Sequence, residues 1–404
     1  MKARQEEYPL EDKNMEREIR RFVAIIGENT WKNKIAKLDA QLISGKTKFY
    51  SEYLLSRNPL LVALKEYFKL IKQGKTIWKH KTNLLFNLFS IAHTTNKLMM
   101  GVSDAGKNVI RGNLRSDNIR PFLFELQIII HFLRNDYDIE FNDLDKLNED
   151  KKNFDFIVRK DDFVGEVECK STDLDTGRKI KKSHFYQLAD RLVNRFESIH
   201  KSILFDIGVN DNLKYNDVLI NKIADNAIES YKSGKSNIDI NENIHIKFVS
   251  IPNNMSQKQS YEMVQQHRNG KAHFAIQGEN GITMIVKAES EKPDFFLPAI
   301  YKSLKIAEKQ FTKKYPAMIS CYIDDIQEHE WEALKSESDI QHFTLKFLDN
   351  PARKFIHTIS YTSAPEVKQI GSLINMQSAA LCWENPKGNF SDLSNPFDIV
   401  RNQL

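Results

Sequence analysis

Residues 163–171 read Phe-Val-Gly-Glu-Val-Glu-Cys-Lys-Ser, and no other stretch limits the fold of this chain as tightly. Side chains two apart share one face of a β-strand. Phe163, Val167 and Cys169, with Gly165 between them, then fall on one face, and Glu166, Glu168 and Lys170 on the other. A short apolar run upstream, Phe-Asp-Phe-Ile-Val at 154–158, reads as a second strand with Asp155 set inside it. The two together place an acid on one strand and Glu-x-Lys on the next.

The flanking sequence supplies helices. Residues 16–26, 58–72 and 81–100 carry apolar side chains at helical spacing, as in Leu60, Leu61, Leu64, Tyr67, Phe68 and Ile71. Residues 1–105 are therefore expected to be all-helical. The polar stretch 103–118 reads as a linker. A helix at 118–135 precedes the two strands. A polar turn at 172–177 and a basic amphipathic helix at 179–201 follow them. Strands are expected at 203–209, 243–251 and 272–287, the last bent by a hairpin turn in Gln-Gly-Glu-Asn-Gly-Ile at 277–282. Residues 211–236 read as helical at first, then polar. A helix at 298–314 is stopped by Pro316, strands follow at 317–323 and 354–361, and one helix is expected near 374–383. This alternation is the order of an α/β protein.

The chain has 404 residues, 41% of them hydrophobic, which favours two domains over one. Its net charge of +5 is compatible with nucleic acid but too small to argue for it. Cys169, Cys321 and Cys382 are isolated, so neither a disulfide framework nor a zinc spacing is present, and a reducing compartment is expected. The charged N-terminal stretch lacks the apolar core of a signal peptide, and the longest apolar run, 121–133, is too short to span a bilayer. A soluble cytoplasmic protein without a membrane partner is the expectation. Each of the three Gly-Lys-Ser/Thr triplets lacks the earlier glycine of a phosphate-binding loop: Ala40, Lys69 and Glu229 stand there instead.

Hydrolysing a phosphodiester requires water in line with phosphorus and neutralised charge on the phosphate oxygens. Mg²⁺ does both with carboxylate and water ligands. Asp155 and Glu168 are candidate ligands from neighbouring strands, the backbone carbonyl of Cys169 is a third, and Glu166 a further one. Lys170, on the face of Glu168, is placed to orient the water or lower its pKa. Glu125 lies in a helix that is apolar around nearly its whole circumference. A buried carboxylate needs a partner. A metal cluster, a core Arg or Lys, or the helix N-terminus would serve. Arg178, Lys179, Lys181, Lys182 and His184 cluster after the turn, with Gln187 three residues on; they are candidates to grip phosphates, or simply the solvated start of a helix. Glu-x-Lys recurs at 11–13, 149–151 and 366–368, so the apolar strand setting is what distinguishes 168–170. The competing reading is an edge strand with one solvated, charged face.

From about Phe122 to Phe196 this arrangement resembles the PD-(D/E)xK, or restriction-endonuclease-like, nuclease superfamily: a helix bearing Glu125, then Asp155, then Glu168-Cys-Lys170, then a helix. Phe154 stands where the family signature has proline, and Gln187 lacks a tyrosine four residues on. The resemblance implies a central mixed sheet flanked by helices, Mg²⁺ (or Mn²⁺) bound by Asp155 and Glu168, and Lys170 assisting the water. Residues 1–105 would then form a helical region for recognition, dimerisation or regulation. A nuclease domain would occupy 106–365, with an insertion at 203–290 and a tail at 366–404. The expectation is a metal-dependent DNA endonuclease of restriction or phage-defence type, with RNA left open as a substrate. It would act as a homodimer or as a subunit of a defence complex. The alternative is a catalytically inactive nuclease-like fold that binds nucleic acid or serves assembly.

Overall fold

A computed structural model describes residues 12–43, 48–80, 82–141, 154–173, 175–210, 212–213, 216–266, 272–292, 296–324, 339–362, 366–370, 373–377 and 380–398. The expected signal-free N-terminal stretch up to residue 11 and the first Gly-Lys-Thr triplet lie outside them. In chain order the elements are α1 (Asp12–Ile26), α2 (Glu28–Ile43), α3 (Lys48–Ser56), α4 (Pro59–Lys72), α5 (Asn83–Gly101), α6 (Asp104–Arg115), α7 (Arg120–Arg134), β1 (Asp138–Phe141), β2 (Phe156–Lys160), β3 (Phe163–Asp173), α8 (Lys182–Phe196), β4 (Ile203–Val209), α9 (Asp217–Lys232), β5 (Asn237–Asn241), β6 (Ile244–Ser250), α10 (Gln257–Gln266), β7 (His273–Glu279), β8 (Ile282–Ser290), α11 (Phe296–Glu308), β9 (Ala317–Asp324), α12 (Asp339–Leu348), β10 (Ile356–Thr362), β11 (Glu366–Ile370), β12 (Leu373–Gln377) and β13 (Ala380–Glu384). The protein is mixed α/β. It divides into two compact units: Met1–Lys37, Asn58–Leu174 and Leu297–Leu404 form the first, Leu38–Arg57 and Asp175–Phe296 the second. Among the described residues no helix is long and apolar enough to cross a membrane.

The first unit is built on a six-stranded sheet in the order β1-β2-β3-β9-β10-β13. β1, β2 and β3 run antiparallel, β3, β9 and β10 are parallel, and β13 is antiparallel to β10. In the register of β3 and β9, Val167 stands beside Met318, Glu168 beside Ile319 and Lys170 beside Cys321. The face carrying Val167 and Cys169 packs on α7, whose Phe124 ring stacks on Tyr322 of β9 at 5.0 Å. That core continues without a break into α1, α4 and α5 through Phe22, Leu64, Leu88, Leu126 and Phe132. The opposite face meets α11, where the hydroxyls of Thr172 and Ser303 approach to 3.4 Å, and α12, where Thr344 Oγ1 and the Tyr361 hydroxyl share a hydrogen bond of 2.9 Å. Sandwiching between helices explains why β10 is buried on both faces.

The second unit has a five-stranded sheet in the order β5-β6-β4-β8-β7, with β4 and β8 parallel. One face buries Phe205, Ile207, Val286 and Ala288 against Phe185, Leu192 and Phe196 of α8 and Ile223 of α9. On the other face Leu204 and Ile285 pack on Val264 of α10. The β7–β8 turn is the expected one: Asn280 and Gly281 both take positive φ, 50° and 77°, as a two-residue turn with right-handed twist demands.

Two segments depart from the sequence reading. Residues 103–118 hold a helix, α6, rather than a linker. Ser103 caps it by accepting the N–H of Gly106 at 3.2 Å, and Gly106, Ile110 and Leu114 make a buried stripe at four-residue spacing. Polarity on the other side masked that stripe. Where a helix was expected over 374–383, the described residues form the strands Leu373–Gln377 and Ala380–Glu384. The edge of β10 needs a partner, and β13 supplies it with Thr358 opposite Glu384 and Thr362 opposite Ala380. Long-range pairing overrides local spacing there.

Candidate active site

β2 and β3 form a hairpin closed at Lys160 and Phe163, with Asp161 at φ 51° in the turn. Near the turn, Gly165 lets the sheet accept an aromatic plug. A Cβ there would lie 2.7 Å from the ring of Phe397, and Phe397 is fully buried against Phe132 and Phe163. The plug is tied down: Tyr137 donates its hydroxyl to the Pro396 carbonyl at 2.8 Å, and Lys160 pairs with Asp398 at 2.9 Å.

At the other end β2 stops before β3 does, since the last paired residues are Phe156 and Val167. Beyond that point the N–H of Cys169 has no strand to meet. The Asp155 carboxylate takes its place and accepts that N–H at 2.6 Å. In a strand a residue's N–H and C=O face the same neighbour, so the Cys169 carbonyl opens on the side where Asp155 sits. Glu168 and Lys170 leave β3 on the face toward α11. Lys170 donates directly to Glu168 Oε1. Glu168 is 1% exposed, and its Oε2 is buried without a hydrogen-bond partner.

The electrostatics tie four predicted residues into one group. Burial pushes Glu125, on α7, up to about 8, with Asp155 and then Glu168 adding like charge and Lys170 opposing. Glu168 is also raised to about 8, by burial first and then by Asp155, with Lys170 lowering it. Asp155 rises to about 6 through burial, held back by the Cys169 N–H and by Lys170. The neighbouring thiols feel the same group. Cys169 is raised by burial, then by Asp155, Glu125 and Glu168, and Cys321 is raised by burial, with Lys170 lowering and Glu168 raising it. Glu125 comes from α7, Glu168 from β3, and Asp155 from the residue just before β2.

Glu166 does not join this group. Its carboxylate is fully buried and held by Thr312, which donates its backbone N–H at 3.0 Å and its hydroxyl. It anchors the α11–β9 connection to β3. The basic residues belong to the second unit. Lys181 is exposed, Arg178, Lys179 and Gln187 are half-buried, and Lys182 is buried, with its backbone N–H given to Asp175 at 2.8 Å. His184 Nδ1 meets the Leu213 carbonyl at 2.9 Å. Sequence reasoning missed Thr312 and Cys321, whose relevance comes only from pairing across more than a hundred residues.

Among the described residues no group of three or more His, Cys, Asp or Glu side chains is placed to hold a metal ion. Comparison with known proteins gives nothing further: no family model, no curated protein and no solved structure matches the chain.

Proposed function

We propose that this chain is a Mg²⁺-dependent nuclease of restriction-endonuclease-like fold, cleaving DNA internally in a restriction or phage-defence role. One observation carries the reading. Glu168 keeps Oε2 buried without a side-chain partner while Asp155 adds like charge beside it and Lys170 holds its other oxygen. Leaving such an oxygen unsatisfied costs several kcal/mol once charged, and a hard cation removes that cost. Mg²⁺ takes one or two protein carboxylates and fills its remaining positions with water. Asp155, Glu168 and the Cys169 carbonyl therefore fit it as donors without a cluster of three acids. When bound, the ion would neutralise charge on the phosphate oxygens and acidify a nearby water. Lys170 orients that water from the flank of Glu168. Asp155, fixed by the Cys169 N–H, sets the donor direction. Glu166 takes no part.

A second reading keeps the fold without catalysis, as a nucleic-acid-binding or assembly subunit. The direct Lys170–Glu168 ion pair favours it, because it occupies one of the proposed donor atoms. Supercoiled plasmid incubated with the full chain and Mg²⁺ or Mn²⁺ separates the two. We expect nicking and linearisation by the parent protein, and at least a hundredfold slower cleavage by Glu168→Ala and by Lys170→Ala. Variants that cut at the parent rate would remove the assignment. A parent protein that binds plasmid without cutting it would select the second reading.

A further inference from the structure

We propose that the second unit carries a binding surface for single-stranded DNA, built where α3 lies along α8. The inference rests on the reading of DNA as the substrate and adds the form that DNA takes. Asp190 of α8 accepts the backbone N–H groups of Phe49 and Tyr50 at the start of α3, both at 2.9 Å. One turn nearer the start of α8, Tyr186 meets Tyr53, one turn further along α3, with ring centroids 5.4 Å apart. The two helices are therefore antiparallel. Continuing by one turn, α3 leads to Arg57, and α8 begins at the buried Lys182, preceded in the chain by Arg178, Lys179 and the exposed Lys181. Arg57 donates to the Tyr53 hydroxyl, and its guanidinium lies 5.2 Å from the centre of that ring.

The result is a short aromatic ladder with cations at one end. Tyr50 stacks on Tyr53 at 6.1 Å and 28°, and Tyr53 is buried between half-exposed Tyr50 and Tyr186. The half-exposed rings of Tyr50 and Tyr186 offer stacking to a base only when that base has left the helix, which a single strand permits and a duplex does not. The adjacent cations match the phosphates of the same strand. An acidic peptide would use the cations and leave the rings idle. Tyr50, Tyr53 and Arg57 were silent in the sequence, because α3 reaches α8 from more than a hundred residues away.

The test is fluorescence anisotropy with the full chain in EDTA, at fixed salt, on labelled oligothymidylate, its duplex with oligoadenylate, and oligouridylate. The single DNA strand should bind at least tenfold tighter than the duplex and no weaker than the RNA. The double variant Tyr50→Ala/Tyr186→Ala should lose about tenfold in affinity, and the corresponding double Phe variant should keep it. If the Ala variant melts at lower temperature, the surface variant Lys179→Glu/Lys181→Glu supplies the same test, with a weaker affinity and a shallower salt dependence. Equal binding of duplex and single strand, tighter binding of the RNA, or parent affinity in the folded variants would overturn the surface. A parent protein that cuts plasmid but ignores oligothymidylate would also overturn it while leaving the nuclease reading intact. Tyrosine-dependent binding without any cleavage would do the reverse.

Discussion

Each unit sets a lysine between acids on neighbouring strands, yet the two arrangements are chemically unlike. In the second unit Lys287 of β8 lies 3.1 Å from Asp206 of β4 and 3.4 Å from Glu289 of its own strand, with all three side chains in reach of water at 14%, 38% and 27% exposure. Such a set satisfies itself and contributes little to stability. In the first unit Glu168 has 1% of its side chain exposed, and only one of its oxygens has a partner. The residue types hardly differ. The difference lies at one carboxylate: Glu168 is shut from water, although Lys170 is 21% exposed and Glu125 and Asp155 are half-buried, and burial with the nearby Asp155 charge raises its pKa.

The comparison can be broken at three levels. The largest effect is on cleavage. Lys170→Ala should slow it at least a hundredfold, whereas Lys287→Ala should leave it within about twofold. Equal losses in a plasmid assay would mean that the two sets are not different in kind. Next comes the pH dependence of folding in EDTA. Glu125 sits at about 8 in the folded protein against about 4.3 for an ordinary glutamate, so the folded state keeps a proton that the unfolded state has given up. The stability this group contributes is complete below about pH 4 and is lost as pH rises through about 8. Denaturant melts should show stability falling between pH 5 and pH 8 by a few kcal/mol, with Glu168, raised in the same direction, contributing as well. Glu125→Gln should flatten part of that slope. A slope unchanged by Glu125→Gln would show that this carboxyl ionises freely.

Much of the first unit's site was legible before any coordinates. The two-residue period of 163–171 put Glu168 and Lys170 on one face, and the apolar girth of α7 announced a carboxyl in an apolar setting at Glu125, which is half-buried. The rest depends on contacts that no local pattern encodes. Whether Glu166 faced the cluster or left it hinged on Thr312, which lies 146 positions later. The strand character of 380–384 came from the edge of β10, and the short β1 and β5 were too brief to show a period. α6 was hidden because its polar residues outnumber a three-residue stripe. Periodicity announces burial on one element; it does not say which loop closes over the face.

The smallest signal is also the most direct test of the shared-cation claim: calorimetric titration of Mg²⁺, repeated with Mn²⁺, into the parent chain and into Asp155→Ala and Glu168→Ala. The account predicts saturable binding near one ion per chain in the parent and at least tenfold weaker binding in each variant. Binding that survives both substitutions, or no binding by the folded parent, would contradict it.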